Sequence, residues 1–588
     1  MTNEMTETRF PYQDASLGID QRVDDLLSRM QLADKAGMLF HTMVAFADPE
    51  EGNPTFGIPS AASMVRKRRM NHFNLLGAAP SGREFAAWHN ALQRLALESP
   101  LGIPITFSTD PRHSFSDNPL TSLMAGPFSQ WPETMGFAAI GSPERLERFA
   151  EVARQEYLAV GLRVALHPQI DLATEPRWSR IAGTFGEDAD LTSRLVVGYI
   201  RGFQGEELGA ESVATMIKHF PGGGPQKDGE DPHFAWGREQ VYPGGQQEYH
   251  LKPFIAAIGA GATQMMPYYG MPVGTDWEEV GFGFNKDVIT GLLRDRLGFD
   301  GIVCTDWGLL TDVTVFGADM PARAWGAEQL SRPERMLKAL DAGIDQFGGE
   351  LCTEELLGLV EAGRVTEDRL DVSVRRLLRE KFVLGLFDDP FVDESTAETI
   401  VGRADFVTEG LDAQSDSLTL LTNTDALLPL ARGVKVYAEG VDVETLAAYA
   451  TVVDAPEQAD VAILRTKAPY ETGDKGGFSD LFHTGSLEFP ADEHARLTAI
   501  ADTVPTVIDI YLDRPAVLGG LEDSAGAVIA NYGACDTAVL RVLFGERSPQ
   551  GSLPFDLPRS MDAVVASRSD VPFDTENPTF RFGHGLRY

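Results

Sequence analysis

Residues 298–308 read GFDGIVCTDWG. A turn signal spanning Gly298 to Gly301 precedes the apolar run Ile302–Cys304, and a carboxylate, Asp306, stands just past its end. A short apolar run bounded by turn residues reads as a buried strand. The unit recurs upstream. IPITFS (103–108) is followed by Asp110, VATMI (213–217) by Lys218 and His219, and ATQMM (262–266) by Tyr268. Runs around 38–43, 72–76, 163–168, 301–305 and 343–347 bring the expected strands to eight. Amphipathic stretches such as 143–160 and 189–204 lie between them. A helix is expected over 20–30, with Asp20 suited to cap it and Val23, Leu26, Leu27 and Met30 on one face. Eight strands alternating with helices fit a (β/α)8 barrel, with a doubly wound open sheet as the rival architecture.

The segment 385–405, GLFDDPFVDESTAETIVGRAD, is rich in acids with little periodicity and reads as a linker. Beyond it, strands are expected at 418–421, 434–438, 460–464, 506–511 and 526–530, with helices at 443–450, 490–502 and 536–544. The expected organisation is a barrel over 1–385, a linker over 386–415 and an α/β sandwich over 416–588.

The chain has 588 residues, 43% hydrophobic and 23% charged, which is ordinary globular composition. Its 50 basic and 87 acidic residues give a formal charge of −37. Phosphate binding needs a concentrated positive field, so nucleic acid and anionic membrane surfaces are disfavoured as partners. A neutral or cationic small molecule fits better, although solubility alone also explains the charge. Three cysteines, Cys304, Cys352 and Cys535, are too few and too scattered for a disulfide framework or a CxxC metal site. His113, His167, His219 and His233 show no HxH or HExxH spacing, so neither a metal nor a cofactor is implied. The first residues lack a basic start and an apolar core, and no apolar run approaches ~18 residues. The expectation is a cytoplasmic protein.

In a barrel, residues just past the strands open on one face. Asp110 alone reads equally as a helix cap, and Lys218 as a solvated loop residue. Together with His219, Tyr268 and Asp306 they suggest one site. Trp307 offers a flat face for stacking on a sugar ring. Gly222, Gly223 and Gly224 let the chain turn close to a ligand. Lys218 and a protonated His219 would bind hydroxyls and hold a nearby Asp ionised. Arg177 and Arg180 flank Trp178 and offer forks for hydroxyl pairs or carboxylates, unless Arg177 pairs internally with Glu187 or Asp188.

These stretches resemble glycoside hydrolase family 3, the β-glucosidase family. RVDDLLSRMQLADKAGML, LGIPITFSTDPRHS, DLATEPRWSRIAGTFGED, IKHFPGGG, GFDGIVCTDWG, LREKFVLGLFDDPF, SLTLLTNTDALLPL, GSLPFDLP and FRFGHGLRY follow in family order. The resemblance implies a barrel followed by an α/β sandwich, with the active site where they meet, and a retaining exo-β-glycosidase acting on terminal glucosyl residues. β-Xylosidase, β-N-acetylglucosaminidase and a decayed sugar-binding protein are the alternatives. By motif, Asp306 takes the nucleophile's place. Asp110, Arg180, Lys218 and His219 match residues that hold the sugar. Tyr268 matches the tyrosine that touches the nucleophile, and Trp307 the aromatic of the next subsite. Glu471, in TKAPYETGDKGG, resembles the acid/base. Gly183 stands where many members have Glu. One branch of the family instead uses an Asp–His pair, for which Asp231 and His233 in DGEDPHF are the counterparts. The implied partner is a small glycoside or oligosaccharide, and a homodimer is a further expectation.

Overall fold

The computed structural model describes residues 10–115, 126–315, 318–471 and 477–588. Eight parallel strands form the first sheet: β1 Phe40–Ala45, β2 His72–Leu76, β3 Thr106–Thr109, β4 Leu162–Ala165, β5 Ala214–Phe220, β6 Gln264–Pro267, β7 Ile302–Val303 and β8 Phe347–Gly348. Their order is β8-β1-β2-β3-β4-β5-β6-β7, and a parallel bridge between Cys304 and Gln346 joins β7 to β8, so the sheet closes on itself. All eight fall on the expected runs. The barrel therefore prevails over the open sheet.

The strands are largely buried on both faces, because helices cover one face and the barrel interior the other. β5 is buried along its whole length. Phe40, Phe73, Phe107, Ile217, Val303 and Phe347 are fully buried in the core. Each contributes about 1.5–3 kcal/mol through removal from water. Helices Pro143–Ala159 and Ala189–Gln204 begin with Ser142 and Asp188 as side-chain caps. The first long helix, Ile19–Arg29, is entered from Gly18 rather than capped by Asp20. Asp20 sits instead in the first turn, where a carboxylate opposes the positive helix end.

The segment read as a linker is ordered. It carries helices Glu394–Ile400 and Ala404–Ser417. Periodicity missed the first because it is short and buries only Ala397. It packs against helix Gly82–Leu97 at Gly82, where an added Cβ would meet the Ala397 carbonyl oxygen at 2.3 Å.

The second sheet has six strands: β9 Thr419–Asn423, β10 Lys435–Glu439, β11 Thr451–Val452, β12 Val461–Lys467, β13 Thr506–Tyr511 and β14 Ala527–Asn531. The order is β9-β14-β13-β12-β10-β11, with β9 antiparallel to β14 and the other pairs parallel. β11, two residues long, has no period to read. Polar contacts tie this unit to the barrel loops. The buried Glu187 carboxylate accepts from the Asp556 and Phe573 N–H groups, both at 2.7 Å. Tyr511 Oη donates to Glu133 at 2.6 Å, and Arg514 donates to the Arg177 carbonyl at 3.0 Å. Among the described residues, no helix is long and apolar enough to cross a membrane.

Candidate active site

A cavity of about 580 Å³ opens at the carboxyl ends of the barrel strands. That is the usual place for a barrel active site, and the volume suits a small ligand. Asp110, Arg180, Lys218, His219, Asp306 and Trp307 all line it. Strand geometry explains the convergence: Asp110 and Asp306 follow the ends of β3 and β7 by one and three residues, and Lys218 and His219 are among the last three residues of β5.

Asp306 is 8% exposed. Its Oδ1 accepts from the Trp307 N–H at 2.7 Å, while Oδ2 has no hydrogen-bond partner among the described residues. His219 Nε2 stands 3.8 Å from that oxygen. A buried carboxylate oxygen without a partner costs free energy unless a reactant meets it.

His219 departs from the expectation. It is fully buried, and desolvation, reinforced by Arg180, holds its pKa well below the ordinary value despite Asp306. The ring is thus neutral. Nδ1–H donates to Asp171 Oδ2 at 2.7 Å, and Nε2 accepts from Arg180 Nη1 at 3.1 Å. The ring therefore offers Asp306 no positive charge, and Arg180 is a cation that interacts electrostatically with it. Burial opposes the Arg180 charge, but Tyr268, Asp231 and Asp306 around it raise its pKa above the usual guanidinium value. Lys218 binds Asp110 at 3.1 Å, and Asn74 donates to the other Asp110 oxygen at 3.1 Å. Burial pushes the Asp110 carboxyl up, yet Lys218 and Asn74 outweigh it and leave the pKa lowered.

Asp171 is missing from the sequence reading. It is fully buried and accepts from the His219 and Gly223 N–H groups as well as the His219 ring. Burial pushes its carboxyl up to about 6 against those bonds. Its place, a carboxylate soon after the apolar run 163–168, is the signal already used for Asp110.

The tyrosine beside Asp306 is Tyr269 rather than Tyr268. Tyr269 lines the cavity and donates to the Trp307 carbonyl at 2.7 Å. Its pKa is raised first by burial and then by the Asp306 charge. Tyr268 points the other way, donating to Asp231 Oδ2 at 3.1 Å, with its ring centroid 4.4 Å from that of His219. Both tyrosines lie just past the end of β6, where their side chains turn to different sides, so a one-residue error changes the face. The Trp307 ring rests on Gly348 and Gly349, where an added Cβ would meet it at 2.7 and 2.6 Å. Arg177 pairs internally, with Glu175 at 2.8 Å rather than with Glu187 or Asp188. Gly183 lines the cavity and abuts Gln169, which holds the Arg180 carbonyl at 3.1 Å.

Two acid/base candidates lie differently. Asp231 and His233 form a pair, with His233 Nδ1 donating to Asp231 Oδ1 at 2.6 Å, and His233 lines the cavity. Burial lowers the His233 pKa, although Asp231 opposes the shift. Glu471 is exposed, lies against Gly485 and is not among the lining residues. Residues 472–476 of its motif lie outside the described residues. The second unit reaches the cavity through Phe478, Leu481 and Phe482. Among the described residues, no group of three or more His, Cys, Asp or Glu side chains could hold a metal ion.

Two family models match the chain. "Glycosyl hydrolase family 3 N terminal domain" covers residues 78–380, and "Glycosyl hydrolase family 3 C-terminal domain" covers residues 418–588. The chain is 55% identical to a protein of Emericella nidulans named β-glucosidase C, over 98% of this chain and 94% of that one. It is 42% identical to a Dickeya chrysanthemi protein named periplasmic β-glucosidase/β-xylosidase, over 98% and 91% of the two lengths. The fold superimposes on a β-glucosidase of Erythrobacter marinus with a TM-score of 0.79, at 22% identity over 98% of this chain and 84% of that one. A Listeria innocua β-glucosidase in complex with isofagomine gives a TM-score of 0.75, at 22% identity over 97% and 83%.

Proposed function

The chain belongs to glycosyl hydrolase family 3, and we propose on that premise that it releases terminal, non-reducing β-D-glucosyl residues with retention of configuration. The observation that carries this reading is the unpartnered Asp306 Oδ2 in a cavity ringed by Asp110, Arg180, Lys218 and His219. Retention requires a carboxylate to attack the anomeric carbon and form a glycosyl-enzyme that water then cleaves. Asp306 supplies the carboxylate, Arg180 stabilises its charge, and Asp110 with Lys218 offers both an acceptor and a donor to sugar hydroxyls.

A proton donor is needed for the leaving oxygen, and we assign it to Glu471. Burial lowers the pKa of the cavity-lining alternative, His233, which disfavours its protonated, acid form. The role requires the Glu471 carboxyl to leave its place against Gly485 and approach the bound glycoside. A second reading, with Asp231–His233 as the acid/base, is favoured by its position in the cavity. Glu471→Gln and His233→Ala, compared on an activated aryl glucoside and on a poor leaving group, separate the two. General acid help is typically worth ~10²–10⁴ in rate. Loss confined to the poor leaving group in Glu471→Gln supports the assignment, and an intact rate there transfers it to the pair.

The Dickeya relative's double name keeps xylose as a second sugar. Aryl β-D-glucoside, xyloside and N-acetylglucosaminide, compared by kcat/KM, test the preference for glucose. Cytoplasmic location and a homodimer are carried as proposals, which cell fractionation and sedimentation test.

A further inference from the structure

One buried cation in the cavity has no role in the scheme above. Arg323 is 6% exposed and lines the cavity beside Asp306's chain neighbours. Its Nη1 packs on Gly308, where an added Cβ would meet it at 2.6 Å. Its Cζ lies 5.7 Å from the centre of the Tyr269 ring. The only side-chain acceptor it meets among the described residues is Met320 Sδ, at 3.7 Å, and its Nε has none. The acid of the same loop, Asp312, is turned to the Ala322 N–H at 2.8 Å.

Other buried arginines find oxygen or nitrogen acceptors for their terminal nitrogens, although Arg180 and Arg514 also leave Nε without one. Arg514 donates to the carbonyls of Arg177, Pro469, Thr484 and Gly485. Arg163 donates to those of Ala210, Ser212 and Leu384. Arg180 has His219. An uncompensated buried guanidinium is costly, and a planar carboxylate matches its fork far better than a hydroxyl does.

Arg323 itself meets the Tyr269 ring and Met320, and aromatic and apolar side chains line the same cavity. Tyr269 contacts His233 at 4.7 Å between ring centres, and His233 contacts Phe482 at 5.1 Å. Val313, Met320, Trp307 and Phe478 also line the cavity. The hydroxyl-binding groups Asp110 and Lys218 pair with each other and leave Arg323 to a different part of the ligand. We propose that Arg323 determines specificity on the leaving-group side by receiving a carboxylate carried on an aromatic aglycone. This rests on the glucosidase reading and names the substrate class for the same site. The charge of −37 repels such an anion at long range, but salt screens that field beyond about 8 Å, and the contact itself is buried.

The test uses the full chain and three substrates: phenyl, 4-carboxyphenyl and 4-carbamoylphenyl β-D-glucoside. The measured quantity is the ratio of kcat/KM for the carboxyphenyl to the carbamoylphenyl compound, which cancels leaving-group chemistry when enzymes are compared. A charge-assisted hydrogen bond corresponds to a factor of about ten or more. Arg323→Gln is expected to lower the ratio at least about tenfold, mainly through KM, and Arg323→Lys to restore part of it. In the wild-type enzyme, benzoate is expected to inhibit phenyl glucoside hydrolysis at least about tenfold more tightly than benzamide, a result that needs no variant to fold. An unchanged ratio in Arg323→Gln, or equal inhibition by benzoate and benzamide, overturns the proposal and leaves the glucosidase reading standing. Absence of wild-type turnover on all three glucosides overturns both.

Discussion

Asp171→Asn replaces one oxygen acceptor by a donor at the centre of the site. Asp171 now accepts three bonds, from the His219 ring, the His219 N–H and the Gly223 N–H. An amide can serve only one side. With its oxygen on the two backbone groups, its NH2 faces His219 Nδ1 and forces the proton to Nε2. That nitrogen then presents N–H to Arg180 Nη1, 3.1 Å away, and the Arg180 bond is lost. With the amide reversed, two buried N–H groups lose their acceptor. The first arrangement costs less, and it removes one charge-assisted bond of about 1.5–3 kcal/mol. At 1.36 kcal/mol per decade this is about a 10- to 150-fold fall in kcat/KM. The new Nε2–H also points toward Asp306 Oδ2, 3.8 Å distant, and blunts the nucleophile. Steady-state kinetics on an aryl β-glucoside measures the effect, with circular dichroism checking the fold. A folded variant within about threefold of wild type refutes the reasoning, because His219 would then need no fixed tautomer.

Three further outcomes follow from other contacts. Burial raises the Glu380 carboxyl to about 7, so the stability it contributes is complete below about pH 4.5 and is lost as pH rises through 7. Glu380→Gln should flatten the stability–pH curve over that window in denaturant titrations, and an unaltered slope contradicts the assignment. Gly349→Ala places a Cβ 2.6 Å from the Trp307 ring at φ +70°. It should cost about 1–2 kcal/mol of stability and raise KM for aryl glucosides more than it lowers kcat, and unchanged KM in a folded variant speaks against Trp307 as a binding platform. Arg514→Met removes the guanidinium that donates to the Pro469, Thr484 and Gly485 carbonyls around Glu471. It should lose about 3 kcal/mol or more of stability and reduce kcat on poor leaving groups more than on activated ones. Equal loss on both substrate types rejects a positioning role.

Sequence and structure agree where burial dominates. The eight barrel strands are legible because each contains or adjoins a short buried apolar run, and Asp110, Lys218 and Asp306 because a polar group at or just past the end of such a run must have a partner or a purpose. The errors arise where neighbouring side chains part company. Tyr268 and Tyr269 are indistinguishable by composition, and only the strand-end geometry turns Tyr269 toward Asp306. His219 reads as a cation until Asp171 and Arg180 fix its tautomer, and that is information held in three separate segments of the chain. The helix Glu394–Ile400 buries one residue and so leaves no period. Glu471 is visible only by motif, and its exposed place against Gly485 could not be read from the chain.

The central claim is that Asp306 bonds to the sugar. Incubation with an activated 2-deoxy-2-fluoro-β-D-glucoside, followed by proteolysis and peptide mass spectrometry, tests it directly. The account predicts a stable glucosyl adduct on Asp306, absent in Asp306→Asn. An adduct on another carboxylate, or turnover with no trapped enzyme, would contradict it.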